Sequence, residues 1–142
     1  MSLDIYLKKT TPIKRECFNC GSTYEEYETL YGTNITHNLG KMADAAGIYE
    51  ALWRPYRLKE GYDIPEDDYR AEWKFEEETI CLAKDIISIL EKGLADLKAR
   101  PEYFEQFNAS NGWGVYENFV PFVEKYLEAC IENPETRIIT SR

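Results

Sequence analysis

The chain lacks most of the features by which a sequence declares its chemistry. No apolar run approaches the roughly 20 residues that a membrane-spanning helix needs. The opening MSLDIYLKK has no basic-then-apolar signal segment, so neither a leader nor a span is expected. There is no glycine-rich phosphate loop ending in Lys-Ser/Thr, no dinucleotide fingerprint, no His-Glu-x-x-His and no Gly-x-Ser-x-Gly. Asp63, Glu66, Asp67 and Asp68 miss the calcium-loop spacing, and Gly61 precedes them. Histidine occurs once, so any histidine-dependent nucleophilic chemistry has to use His37. Bases are scarce: 17 Lys and Arg stand against 26 Asp and Glu, a net charge of −9. Such a chain is repelled by phosphate backbones and anionic membranes, which disfavours direct nucleic-acid binding. The one basic cluster, Lys8, Lys9, Lys14 and Arg15, is too short to reverse that.

What is present fits one domain spanning all 142 residues. A composition 44% hydrophobic and 30% charged is that of an ordinary globular chain, large enough to bury a core without disulfide staples. Four cysteines without a signal segment suggest reduced thiols and a cytoplasmic setting. The acids are unevenly spread. Residues 59–78 hold nine acids against three bases, which is −6 of the net −9. The plain reading is a solvated connection and helix start; the sharper ones are a cation site or a surface for a basic partner.

Residues 3–9 alternate apolar and polar and predict a strand. Residues 13–18 and 22–31 flank Cys-Phe-Asn-Cys-Gly-Ser and predict a hairpin with the cysteines at its tip. Thr36 suits an N-cap and Gly47 a C-terminal glycine, framing a helix over 37–46. A short helix over 48–53 stops before Pro55, and 56–72 reads as an irregular connection. One broad apolar face, Phe75 to Leu97, predicts a helix over 74–99. Gly93 falls within that face, where close packing explains it. A short helix over 101–107, a loop at 108–114, a helix over 116–132 and a closing strand at 137–142 complete the chain. The fold class expected is α+β with helices dominant, packed on a small sheet built from the terminal strands and the N-terminal hairpin; the alternative is all-α.

Three candidate sites follow. Cys17 and Cys20, as Cys-x-x-Cys-Gly, present two thiolates at the spacing with which many zinc sites begin, with His37 or Cys81 as remote further ligands; the alternatives are plain reduced thiols and a redox pair. His37 either sits solvated on a face shared with Lys41 and Asp44, or forms a recognition surface with Asn38, Lys41 and Arg54. Asn111-Gly112-Trp113-Gly114 carries two glycines that aim Trp113 inward as a core plug or outward as a stacking platform, and Trp53 has the same two options.

MSLDIYL, then NITHNLGKMADAAGIYEALWRP at 34–55, then NGWGVYENFVPFVEKYLEACIENPE at 111–135 with a closing Ser-Arg, together resemble a family of small uncharacterised bacteriophage, prophage and bacterial proteins. The likeness covers about half the chain in order. It implies no activity, cofactor or catalytic residue. It implies a phage-type accessory protein in the host cytoplasm, with the Cys17–Cys20 turn and the 56–72 connection as local elaborations. The function expected is non-enzymatic binding of a protein or small ligand by His37, Asn38, Lys41, Trp53, Arg54, Asn111 and Trp113. The alternatives are a small enzyme using His37, with or without a metal, and an acidic DNA mimic built on 59–78.

Overall fold

The computed structural model describes residues 2–142. Strand β1 (Ser2–Lys8) owes its place to its alternation: Leu3, Ile5 and Leu7 are fully buried while Ser2 and Tyr6 face out. It is the middle strand of a three-stranded antiparallel sheet, between β4 (Thr29–Thr36) and β5 (Arg137–Ser141), with Ile5 opposite Thr33 on one side and Thr140 on the other. The two terminal strands therefore pair, as expected, and the α+β class holds. The predicted hairpin forms between β2 (Ile13–Glu16) and β3 (Thr23–Glu26), but it is a separate two-stranded ribbon and not part of the central sheet. Neither strand has apolar residues on one side to bury, and every residue of both is exposed. The strand that joins the sheet is the stretch after the hairpin, 29–36, which supplies Tyr31 and Ile35 to the edge of the core.

Helices cover one face of the sheet. Thr36 caps a 3-10 turn at His37–Leu39, its hydroxyl accepting from the Asn38 N–H at 3.3 Å. The short helix α1 (Gly40–Ala45) follows, and Gly47 closes it with φ +75° while the Ile48 N–H returns to the Ala43 carbonyl. Helix α2 (Tyr49–Trp53) ends at Pro55, which opens a second 3-10 turn. The irregular stretch is shorter than expected, because α3 (Tyr69–Glu78) begins at Asp68, whose carboxylate accepts from the Ala71 N–H.

The single helix expected over 74–99 is broken. Helix α3 stops at Glu78. Residues 79–82 run extended along β5, with the Cys81 carbonyl accepting from Ile138 at 2.8 Å and Leu82 bridging Arg137. A 3-10 turn at Ala83–Asp85 leads into α4 (Ile87–Ala99), and Asp85 accepts from the Leu82 N–H. Thr79-Ile80 favours extended backbone, and the β5 edge offers the hydrogen bonds that helix would otherwise supply. A single helical phase across this break would set Cys81 on a charged face, but it is buried. Helix α4 packs on α6 (Tyr116–Glu132), reached through α5 (Pro101–Glu105) and the 106–115 connection. Gly93 is the close-contact point: a Cβ there would stand 2.2 Å from the Ile48 side chain.

Candidate functional site

The site is assembled from two segments distant in the chain. The turn after β4 presents His37, Asn38 and Lys41, and the loop before α6 presents Asn111 and Trp113. Gly114 lets the two meet. At φ +104° it adopts a backbone that other residues rarely take, and a Cβ would lie 3.0 Å from that of Asn38 and 3.1 Å from the Thr36 methyl. The Asn38 amide N–H donates to the Trp113 carbonyl at 2.8 Å, and Asn111 turns the loop by accepting from the Trp113 N–H at 3.0 Å. Asn108 accepts from the Tyr116 N–H at 2.7 Å, which joins the loop to the start of α6.

Two clefts adjoin along this seam. One, of about 620 Å³, is lined by His37, Asn38 and Lys41 on one wall and by residues 106–111 on the other. The second, of about 630 Å³, lies between β4 and the loop and is lined by Asn34, Thr36, Asn38, Asn111, Trp113 and Asn118 among others. Asn38 and Asn111 belong to both. Among the described residues no carboxylate lines either cleft, whereas three other surface clefts each carry at least one acid. Trp113 takes the outward option and is 71% exposed.

Trp53 takes the inward option, and its indole N–H donates to His37 Nδ1 at 2.8 Å. His37 is thus half-buried and not the solvated first-turn residue of one sequence reading. The bond fixes the tautomer: an Nδ1 that accepts leaves the neutral ring's proton on Nε2, which is buried and has no protein partner. Trp53 is itself held by stacking on Tyr49, with ring centres 5.0 Å apart, and by Arg142, which donates to the Trp53 carbonyl at 3.0 Å while pairing with Glu76. Arg142 therefore supports the site from behind.

Of the residues expected to bind, His37, Asn38, Lys41 and Asn111 share the first cleft, and Trp113 borders the second. Trp53 acts from below as a support. Arg54 is not brought in. The chain turns at the end of α2, and its guanidinium joins Arg57 and the Tyr56 hydroxyl around Glu72, which is 4% exposed; donor–acceptor distances there run from 2.5 to 3.1 Å. Burial raises the Glu72 pKa, but the hydrogen bonds from Tyr56 and Arg57 and the two guanidinium charges outweigh it and hold the carboxyl below its ordinary range. Sequence reasoning missed Gln106, Asn108 and Ser110; the density of amides over 106–111 was the available signal. It also missed Glu72, one acid among nine with nothing to distinguish it.

The zinc ligand set does not gather. Cys17 and Cys20 lie in the β2–β3 turn, Cys81 is buried against β5, and His37 is engaged by Trp53. Among the described residues no three His, Cys, Asp or Glu side chains cluster as metal ligands would. Nor do the nine acids of 59–78 form one exposed row, since Glu72 is buried and Glu76 is paired with Arg142. Among the described residues no helix is long and apolar enough to cross a membrane. No family model, curated protein or solved structure matches the chain.

Proposed function

We propose that this protein binds a small polar ligand, neutral or anionic, in the two clefts at the 108–114 loop, as a phage-type accessory protein without catalytic activity of its own. The observation that carries the reading is chemical. In a chain of net charge −9, the two clefts that meet at this loop hold no carboxylate. What they offer is donors: Lys41 Nζ and the amide NH₂ groups of Asn108 and Asn111, whose oxygens are already engaged. Trp113 adds an exposed ring face on which a flat or sugar-like group stacks.

A second reading, catalysis by His37, draws on its sharing a cleft with Asn38 and Asn111. A general base needs a free acceptor nitrogen toward its substrate, commonly with a carboxylate behind the ring. Here the acceptor nitrogen is occupied by an indole N–H, and the nitrogen left over carries a proton. Neither nitrogen is free to take a proton from a substrate, which favours binding over proton abstraction.

The test is thermal-shift and tryptophan-fluorescence titration against panels of carboxylates, phosphate esters, saccharides and nucleosides. A bound class raises stability by about 2.7 kcal/mol at a hundredfold excess over Kd. Lys41→Ala and Asn111→Ala each weaken that class about tenfold, the effect of losing one good hydrogen bond, or a charge-assisted one, from the site. If no class separates the wild type from these variants, the reading fails.

A further inference from the structure

The β2–β3 ribbon carries a site independent of the clefts. Its six-residue turn, 17–22, is closed by the Cys17 N–H donating to the Ser22 carbonyl at 2.7 Å and the Gly21 N–H donating to the Cys17 carbonyl at 2.9 Å. Gly21 sits at φ +71°, which folds the chain back so that both cysteine side chains stand on the turn. Cys20 Sγ is 2.9 Å from the Ser22 hydroxyl, and Cys17 stands three residues earlier on the same closed turn. Cys20 is exposed and Cys17 half-buried, and no third ligand side chain joins them among the described residues. A hydroxyl donor on an exposed sulfur, with a second thiol on the same turn, is what stabilises a thiolate and then resolves what it attacks.

We propose that Cys17 and Cys20 form a reversible thiol–disulfide exchange site for low-molecular-weight disulfides such as glutathione disulfide. The Cys20 thiolate attacks one sulfur of the incoming disulfide, and a glutathione thiolate leaves. The Cys17 thiol then loses its proton to solvent and attacks Cys20 Sγ, which closes the intramolecular disulfide and expels the second glutathione. The chain loses two electrons and two protons, and the disulfide is reduced to two thiols. Ser22 acts as a positioning residue through its hydroxyl. The hydrogen bonds from Ser22 and Cys17 pull the Cys20 pKa down to about 7. Near neutral pH this makes Cys20 roughly fivefold faster than an ordinary exposed cysteine, once the lower nucleophilicity of a more acidic thiol is allowed for. Burial pushes Cys81 up to about 11 and Cys130 up to about 12, so neither competes.

The experiment treats the reduced full-length chain with glutathione disulfide near pH 7 and follows it by intact mass and peptide mapping. The expected product has lost two hydrogens, carries a Cys17–Cys20 crosslink, returns to the starting mass with dithiothreitol, and retains free Cys81 and Cys130. Cys17→Ser stops at a glutathione adduct on Cys20. Cys20→Ser reacts several-fold more slowly, and Ser22→Ala shifts the pH–rate profile for Cys20 alkylation upward. Both cysteines lie in an exposed ribbon, and unchanged far-ultraviolet circular dichroism of the variants confirms folding. The proposal is overturned if wild-type chain accumulates only glutathione adducts or crosslinked dimers. Equal reactivity of all four thiols overturns it too, as does Cys-dependent zinc uptake that blocks exchange.

Discussion

Glu72 is the residue on which the arrangement of the middle of the chain depends most. It draws Arg54, Tyr56 and Arg57 from the turn after α2 onto α3, across the irregular 59–68 stretch. Glu72→Ala leaves two half-buried guanidinium groups without their partner, and the loss expected is about 3–5 kcal/mol. The pH dependence has a definite sign. A carboxylate whose folded pKa is depressed contributes stability that is complete above its unfolded value and is lost as pH falls through the folded one. Urea unfolding of wild type and Glu72→Gln therefore differs most near neutrality, and the gap closes in strong acid, where wild type also carries a neutral side chain. A gap that stays constant with pH would show that packing, not charge, holds this cluster. The same cluster explains why Arg54 lies away from the surface its sequence position suggests. It adjoins Trp53 in the chain, but backbone at φ −142° and ψ 61° turns it toward Glu72 and away from His37. The Trp53–His37 bond was equally hidden, because it joins residues 16 apart through a contact that only tertiary packing creates.

At the scale of elements, legibility followed local signals. The last helix is legible at 116–132 as found, since Pro134 follows it and its apolar spacing is unbroken. The terminal strands were legible from alternation, and α1 from Thr36 and Gly47. The 79–82 break was not, because the apolar period of α4 happens to continue in phase toward Phe75 of α3. Only the hydrogen bonds to β5 reveal the interruption. Strand β4 was merged with the hairpin for a related reason: its sequence, TLYGTNIT, buries little, and pairing with β1 decides its role. Gly93 is the close-packing residue its place on the apolar face predicts, and the distance gives that a magnitude. In an exposed helix Gly→Ala would stabilise by about 1 kcal/mol. Here the new methyl meets the Ile48 side chain at 2.2 Å and the Ala46 carbonyl at 3.2 Å. Gly93→Ala is expected to destabilise by about 1–3 kcal/mol through overpacking between α4 and the α1–α2 turn. A matched Ile48→Val substitution should recover part of the loss, and chemical denaturation of the double variant measures the coupling.

For the molecule as a whole, the division that matters runs between a packed body and an attached ribbon. The body buries Leu3, Ile5 and Leu7 under the helices and shapes the carboxylate-free clefts. The ribbon contributes no residue to the buried core, and Phe18 at its tip is fully exposed. Where the ribbon joins the body, Lys8 pairs with Thr29 and the Lys9 N–H donates to the Glu28 carbonyl at 2.9 Å, so β1 and β4 are already an antiparallel pair at that point. Replacing residues 10–27 by Asn-Gly would convert that pair into a tight hairpin with a turn suited to the strand twist. Shortening the connection by about three halvings lowers the closure entropy by roughly 2 kcal/mol. Against this stand only the exposed contacts of the β2–β3 ribbon, including the Arg15–Glu26 pair, which water screens. The shortened chain should unfold in one cooperative transition at the wild-type temperature or above, and should keep any ligand binding at the 108–114 loop while losing thiol exchange. Differential scanning calorimetry checks the first outcome and the two titrations check the others. A shortened chain that folds but loses ligand binding would mean that the ribbon takes part in the site, and the separation of binding from thiol chemistry would have to be given up.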